Sequence, residues 1–162
     1  MSDDADLLRR YRDESSEAAF AELVQRYIDL VYSVALRKVG GDSHHAQEVA
    51  QVVFTDLARK ADTLVRHPVL AAWLFKSTHF AASNLRRAER RRESREQQGL
   101  AMQQLLSDSS PPVDWDALRP VIDDAINELN DRDREAVMLR FFHGLEFPAL
   151  GDRLDLTAEG AR

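Results

Sequence analysis

The sequence contains no cysteine, which excludes disulfide bonds and metal sites built from thiolates. It also lacks any apolar run close to the roughly 20 residues that a membrane span requires. The N-terminal stretch, MSDDADLLRRYRDE, is acidic and does not have the apolar segment of a signal peptide. We therefore expect a protein without a membrane span that stays in the cytoplasm.

Positive charge is also scarce over most of the chain, whose formal net charge is −6. Residues 68–98 nevertheless carry seven basic and three acidic side chains, whereas residues 99–162 carry six basic and thirteen acidic ones. This distribution is typical of a protein that presents one basic surface to nucleic acid while its other surfaces repel nucleic acid or meet a different partner.

Apolar side chains recur at steps of three and four along most of the sequence, most clearly over residues 17–39, 43–59, 68–96 and 118–129. This is the period of an amphipathic helix. We find neither the alternation of polar and apolar residues that marks a strand nor an internal repeat. The sequence therefore predicts an all-α fold.

The helical pattern is interrupted between residues 99 and 113, where Gly99, a Ser/Asp cluster and the pair Pro111 and Pro112 follow one another. Such a composition is typical of a linker. A chain of 162 residues is long enough for two small domains. We expect two small helical domains, residues 1–98 and 114–162, joined by a flexible linker at 99–113.

The helix predicted from Pro68 to Glu96 has two distinct faces. One is largely apolar and should contact a core. The other combines positive charge with an aromatic ring, which suits phosphates and unstacked bases and so favours single-stranded nucleic acid. A solvated helix end with a half-buried Phe80 would give the same pattern. The residues of this second face are Lys76, His79, Phe80, Ser83, Arg87 and Arg90.

Two further patterns indicate interactions. Glu48, Gln51, Thr55 and Arg59 line one side of the preceding helix, where they could dock a partner helix or remain solvated. Near the C-terminus, the short helix PALGDRL, the turn DLT and the fragment AEGAR follow a longer helix. That order is typical of a helix-turn-helix.

The sequence resembles the extracytoplasmic-function (ECF) type of the sigma-70 family, which directs bacterial RNA polymerase to promoters. The resemblance covers nearly the whole chain. Four segments carry it, in this order: AFAELVQRYIDLVYSVALRKVGG, HHAQEVAQVVFTDLARK, the AAWLF and NLRRAERRR parts of the central helix, and AINELNDRDREAVMLRFFHGLEFPALGDRLDLTAEGAR.

The resemblance implies a role for each part of the chain. Residues 1–98 would be sigma region 2, which binds core polymerase and melts the minus-ten element, and residues 114–162 would be the helix-turn-helix of region 4. The polymerase contact would fall on Glu48, Gln51, Thr55 and Asp56. Promoter melting would involve the loop at 62–67 and the central helix. The residues to which the resemblance assigns contacts with the melted DNA are Arg66, His67, Lys76, His79, Phe80, Asn84, Arg86, Arg87 and Arg90. Thr157 and Arg162 would contact the minus-thirty-five element.

Three departures from the family pattern have consequences. His79 and Phe80 stand where many members carry Arg-Asn, so we expect stacking on Phe80 to replace polar capture of a base. Asp155 occupies a turn position where glycine is frequent. The sequence ends at Arg162, about one turn into the expected recognition helix, and we therefore expect it to be a piece of a longer protein.

Other functions fit the sequence less well. A hydrolase or metalloenzyme needs convergent polar groups, whereas adjacent His44 and His45 diverge by about a hundred degrees on a helix and no HExxH-like spacing occurs. We expect no enzymatic activity, metal or cofactor. The remaining alternative is a helix-turn-helix regulator or helical adaptor that acts without polymerase. The partners implied by the resemblance are core RNA polymerase, promoter DNA and an inhibitory anti-sigma factor.

Overall fold

The computed structural model describes residues 3–96, 114–157 and 159–160, and the regular elements in these ranges are all helical. The all-α prediction is confirmed. The predicted linker lies outside the described residues, so the division into two domains stays a prediction. No helix within the described ranges is both long and apolar enough to cross a bilayer. The helices are α1 (Asp4–Glu14), α2 (Glu17–Lys38), α3 (Ser43–Arg59), α4 (Ala61–Leu64), α5 (Leu70–Glu96), α6 (Trp115–Glu128), α7 (Asp131–Val137) and α8 (Phe147–Leu154), and a π-helical turn spans Met138–Phe142.

Side-chain caps fix where most of these helices begin. The side chain of Asp42 accepts hydrogen bonds from the backbone amides of His44 and His45 at the start of α3. Ser16, Asp114 and Asn130 act in the same way at α2, α6 and α7. Each cap satisfies an amide that has no partner inside the helix, which contributes about 1 kcal/mol.

The core of the N-terminal helices lies between α2, α3 and α5, and α1 covers one side of it. Its largest fully buried side chains include Leu23, Tyr27, Leu57 and Leu74. Burial of each such side chain stabilises the fold by about 1.5–3 kcal/mol. Thr78 is also fully buried, and its hydroxyl donates to the Leu74 carbonyl at 2.7 Å, so no polar atom of this side chain is left unpaired.

A buried arginine holds the C-terminal helices together. The guanidinium of Arg134, which is 3% exposed, donates to the carbonyls of Ile126, Asn127 and Leu129 at the end of α6. It also donates to Asp131 at 2.7 Å. A cation at a helix C-terminus satisfies the last carbonyls and opposes the helix dipole. This contact sets the angle between α6 and α7.

The helix that begins at Asp131 changes to the π-helical form at Met138. The extra residue in the turn moves the two following rings out of the helix pattern. Phe141 becomes 81% exposed, while Phe142 stacks on Tyr27 of α2 with ring centroids 5.8 Å apart. The π-helical turn therefore joins the C-terminal helices to the N-terminal ones.

The turn after α8 depends on two backbone positions. Asp155 ends the helix with a φ of +54°, a left-handed conformation that glycine adopts most readily, as expected from the family that the sequence resembles. The turn then folds back so closely that a Cβ atom on Gly151 would lie 2.6 Å from the Leu156 carbonyl oxygen. Only glycine fits at position 151 without moving the turn.

We expect Gly151→Ala to destabilise the C-terminal helices by about 1–3 kcal/mol, because its methyl group would overlap backbone rather than a flexible side chain. Urea unfolding followed by circular dichroism measures the change. Ala149→Ser, which adds one atom at an exposed position of the same helix, is the control and should change stability by less than about 0.5 kcal/mol. Equal stability of the two variants would contradict the close approach.

Candidate nucleic-acid interface

The outward face of α5 carries an aromatic ring in line with two free cations. The Phe80 side chain is 66% exposed although it lies in the middle of the helix. Arg87 and Arg90 follow it at helical spacing and are exposed, and neither forms an ion pair within the described part of the chain. These three residues form an open surface, which we call the α5 ridge.

Two other predicted members of this face contact the C-terminal helices, and one of them is buried by this contact. The Lys76 Nζ atom lies 3.0 Å from Asp131, which follows α6 in sequence. His79 is only 8% exposed, and its Nε2 atom lies 3.5 Å from Asp124 of α6. Within the described residues its buried Nδ1 atom has no hydrogen-bond partner. The expectation that His79 faces solvent beside Phe80 is therefore wrong, because α6 covers the His79 side chain.

The environment of His79 disfavours its charged form. Burial is the main cause that lowers the pKa of His79, and the Lys38 cation acts in the same direction. Asp124 and Asp123 act in the opposite direction, and Arg134 lowers the pKa further. Burial likewise lowers the pKa of His143 in the contact between the two groups of helices.

The remaining predicted DNA contacts are dispersed. Arg66 is exposed after α4, whereas the Nδ1 atom of His67 accepts from the backbone amide of Val69 at 3.3 Å. Arg86 is half-buried and donates to the Lys38 carbonyl at 3.1 Å, so it caps the end of α2. Asn84 is exposed one turn after Phe80 and one turn before Arg87, at the edge of the α5 ridge that faces α3. Of these four side chains, only Asn84 adjoins the α5 ridge.

The predicted polymerase contact forms one wall of a groove between α3 and α5, which we call the α3–α5 groove. Glu48 and Gln51 line it, and Thr55 is exposed further along α3. Asp56 is half-buried and does not line the groove. Sequence reasoning missed Val52, which lies in the groove and is 51% exposed. The signal was the pair Val52 and Val53, because adjacent residues of a helix cannot both face one core. The groove is lined by Glu48, Val49, Gln51, Val52, Ala81, Asn84 and Leu85.

Sequence reasoning also missed two cations at the end of α2. Arg37 makes a bidentate pair with Asp123, at 2.6 Å and 3.1 Å. Lys38 lies 2.7 Å from Asp124. The adjacent basic pair and the adjacent acidic pair were visible in the sequence, but nothing local indicated that they meet.

The start of α3 gathers two histidines and a carboxylate. His44, His45 and Glu48 each place one ligand atom within 4.8 Å of the others, so these side chains do not diverge as the sequence argument assumed. His45 lies 3.0 Å from Asp42 through Nδ1 and 2.6 Å from Glu89 through Nε2. Because both ring nitrogens of His45 are engaged, we assign no metal to this group.

Only part of the predicted minus-thirty-five contact can be placed. The Thr157 hydroxyl oxygen is exposed and accepts from the Gly160 amide at 3.0 Å, as a residue that begins a helical turn does. Arg162 lies outside the described residues.

The family profile for Sigma-70 region 2 matches residues 23–92, a stretch that begins within α2 and ends within α5. ECF RNA polymerase sigma factor SigK of Mycobacterium sp. (strain KMS) is 30% identical over 165 residues, covering 95% of this chain and 81% of the relative. SigK of Mycobacterium ulcerans (strain Agy99) is 28% identical over 159 residues, covering 94% of this chain and 83% of the relative.

The chain therefore belongs to the extracytoplasmic-function family of RNA polymerase sigma factors. As a sigma factor it binds the polymerase and directs promoter recognition. A regulator or adaptor that acts without polymerase is not favoured.

The buried His79 predicts a pH dependence of stability. His79 keeps a lowered pKa in the fold, so the unfolded chain binds more protons as the pH falls below about 6.5. The contribution of neutral His79 to the free energy of unfolding is therefore complete above that pH and is lost on acidification. We expect His79→Gln to reduce the loss between pH 7.5 and pH 5.5, because glutamine binds no proton in the unfolded chain.

Urea unfolding at the two pH values measures this loss. His44→Gln is the control, because the His44 side chain is 78% exposed and should leave the loss unchanged. His143 should account for part of the loss that remains after the His79 substitution. If His79→Gln and the wild-type chain lose the same stability on acidification, His79 is not buried in its neutral form.

Proposed function

We propose that this sigma factor binds core RNA polymerase through the α3–α5 groove and holds the non-template strand of the minus-ten element on the α5 ridge. The observation that carries the proposal is the exposed ring of Phe80, aligned with two cations that have no ion-pair partner in the described part of the chain. A buried aromatic or a fully paired set of arginines would have indicated a structural role instead. The protein itself makes and breaks no covalent bond in this function.

The energies involved are sufficient for strand capture. A base stacked on an aromatic side chain contributes about 1–3 kcal/mol, while separating one DNA step costs about 1.4 kcal/mol. One base on Phe80 therefore offsets the loss of about one step. Arg87 and Arg90 neutralise the adjacent phosphates, which adds a contribution that depends on salt.

The α3–α5 groove has the composition of a helix-docking site. Val52 supplies apolar surface at its centre, and Glu48 and Gln51 supply polar groups at its edge. An apolar centre with a polar rim is how protein interfaces combine affinity with specificity. Thr55 contributes less in this proposal, because its hydroxyl already donates to the Gln51 carbonyl at 2.7 Å.

Three further parts of the proposal depend on family membership. The C-terminal helices would form the second domain and read the minus-thirty-five element, with Thr157 at the start of the recognition helix. A protein that works with RNA polymerase would act in the cytoplasm, where the chromosome lies. An anti-sigma factor that holds both groups of helices would be the natural inhibitor.

The role of Phe80 predicts a selective effect on promoter opening. We expect Phe80→Ala to lower the yield of open complex by about tenfold, within the range that one stacked base contributes, while polymerase binding stays unchanged. Phe80→Tyr keeps the ring and should retain most of the activity. Permanganate footprinting of the holoenzyme on promoter DNA measures opening. Equal losses of opening and of polymerase binding with Phe80→Ala would contradict the role.

The groove predicts a separate effect on polymerase binding. We expect Val52→Asp to weaken binding to core polymerase at least tenfold, because a carboxylate would be buried there without a partner. Gln47→Asp introduces the same charge at an exposed position of α3 outside the groove and is the matched control. Competition with a labelled sigma factor measures the affinity. If both variants bind equally well, polymerase docks elsewhere.

A further inference from the structure

The end of α2 and the middle of α5 form a row of basic groups beside the α5 ridge. Arg37 and Lys38 come from α2, and His79 and Lys76 come from α5. The bond from Arg86 to the Lys38 carbonyl fastens the end of α2 to α5. We call these four side chains the basic row: Arg37, Lys38, Lys76 and His79.

Carboxylates of the C-terminal helices lie against every member of the basic row. Asp123 binds Arg37, Asp124 lies 2.7 Å from Lys38 and 3.5 Å from His79, and Asp131 lies 3.0 Å from Lys76. The contact is well covered at its centre, where the side chains of Asp123 and Lys38 are 10% and 19% exposed. Three acidic residues therefore lie against the three cations of the basic row, and one of them also lies near His79, whose charged form is disfavoured.

Charge rather than apolar burial orients α6 on this surface. An amphipathic helix normally turns its apolar side to the core. Here the acidic side of α6 faces α2 and α5, whereas Trp115, Val121 and Ile122 are 62%, 60% and 43% exposed. A helix placed in this way is held on the basic row by its carboxylates, and its apolar side chains remain exposed to solvent.

We propose that Arg37 and Lys38 are further phosphate-binding residues of the nucleic-acid interface, and that Asp123 and Asp124 occupy them in the free chain. This inference rests on the proposed function. Carboxylate and phosphate oxygens present the same acceptors, and a guanidinium binds either one through two parallel hydrogen bonds. The bidentate pair of Arg37 with Asp123 has this geometry. The basic row continues the α5 ridge, so a strand lying along Phe80 and Arg87 would reach it once α6 moves away.

Removal of the two carboxylates tests the proposal in the full chain without polymerase. The probe is a fluorescently labelled single-stranded DNA oligonucleotide, and anisotropy at several salt concentrations gives its affinity. We expect Asp123→Asn with Asp124→Asn to tighten binding about tenfold. The slope of log affinity against log salt should also steepen by about 1.4, since each added phosphate contact on a single strand contributes about 0.7.

Two controls separate this effect from a general change of charge. Asp116→Asn with Asp152→Asn makes the same change in net charge at exposed positions of the C-terminal helices, and it should leave affinity within twofold of the wild type. Addition of Arg37→Gln and Lys38→Gln to the first variant should remove its gain. The proposal is overturned if the first variant binds no better than the control, or if its gain survives loss of the two cations.

Circular dichroism and thermal unfolding establish that the variants are folded. Asp124→Asn alone is the second variant if the double substitution unfolds the C-terminal helices, because Asp124 is half-exposed and Asp123 is buried. We expect it to steepen the salt slope by about 0.7. No steepening in a folded Asp124→Asn chain overturns the proposal as well.

Failure of this inference can be told apart from failure of the proposed function. If Phe80→Ala leaves promoter opening intact, the single-strand role of the α5 ridge fails whatever the asparagine variants do. If Phe80→Ala abolishes opening and the asparagine variants bind DNA like the control, only the inference about Arg37, Lys38 and their carboxylates fails.

Discussion

The burial of one side of α5 between α2 and α3 is the constraint on which the other features of this sigma factor depend. Leu74 and Thr78 are fully buried, and the hydroxyl of Thr78 is satisfied within its own helix. Because a helix has fixed angular spacing, locking this side in the core also fixes the opposite side. Phe80 and Arg87 are therefore presented outward by a rigid element rather than by a loop. A rigid platform reduces the entropy lost when a flexible strand is captured.

The contact between the two groups of helices has a different physical basis. It combines one aromatic stack, Tyr27 with Phe142, and a set of ion pairs between α2, α5 and the C-terminal helices. Ion pairs at partly exposed positions contribute little each, because solvent screens them. Such a contact can be specific in geometry and still be exchanged for another anionic partner. This combination suits a protein whose two groups of helices would have to separate on a promoter.

Much of the fold could be predicted from the sequence because it depends on local chemistry. The helix starts at Ser16, Asp42 and Asn130 follow from side chains that cap a backbone only two or three residues away. Helical periodicity likewise placed Phe80 on the face of α5 away from the apolar one, while the sequence left open whether its ring is exposed or half-buried. Arg37 and Asp123 are 86 residues apart in the sequence, and no local pattern pairs them. The burial of His79 depends on that pairing, so it was missed for the same reason.

The ion pairs of Arg37 and Lys38 have a consequence for how the protein responds to ionic strength. DNA that binds Arg37 and Lys38 releases the counterions that neutralised its phosphates. Asp123 and Asp124, which lose these two cationic partners, take up counterions in return. The net release is therefore small, because one anionic partner replaces another. Electrolyte screens the internal contact and the DNA contact alike, with a Debye length of about 8 Å under cellular conditions. The exchange is therefore buffered, and osmotic changes in the cell would alter strand capture less than they alter binding by an uncovered basic surface.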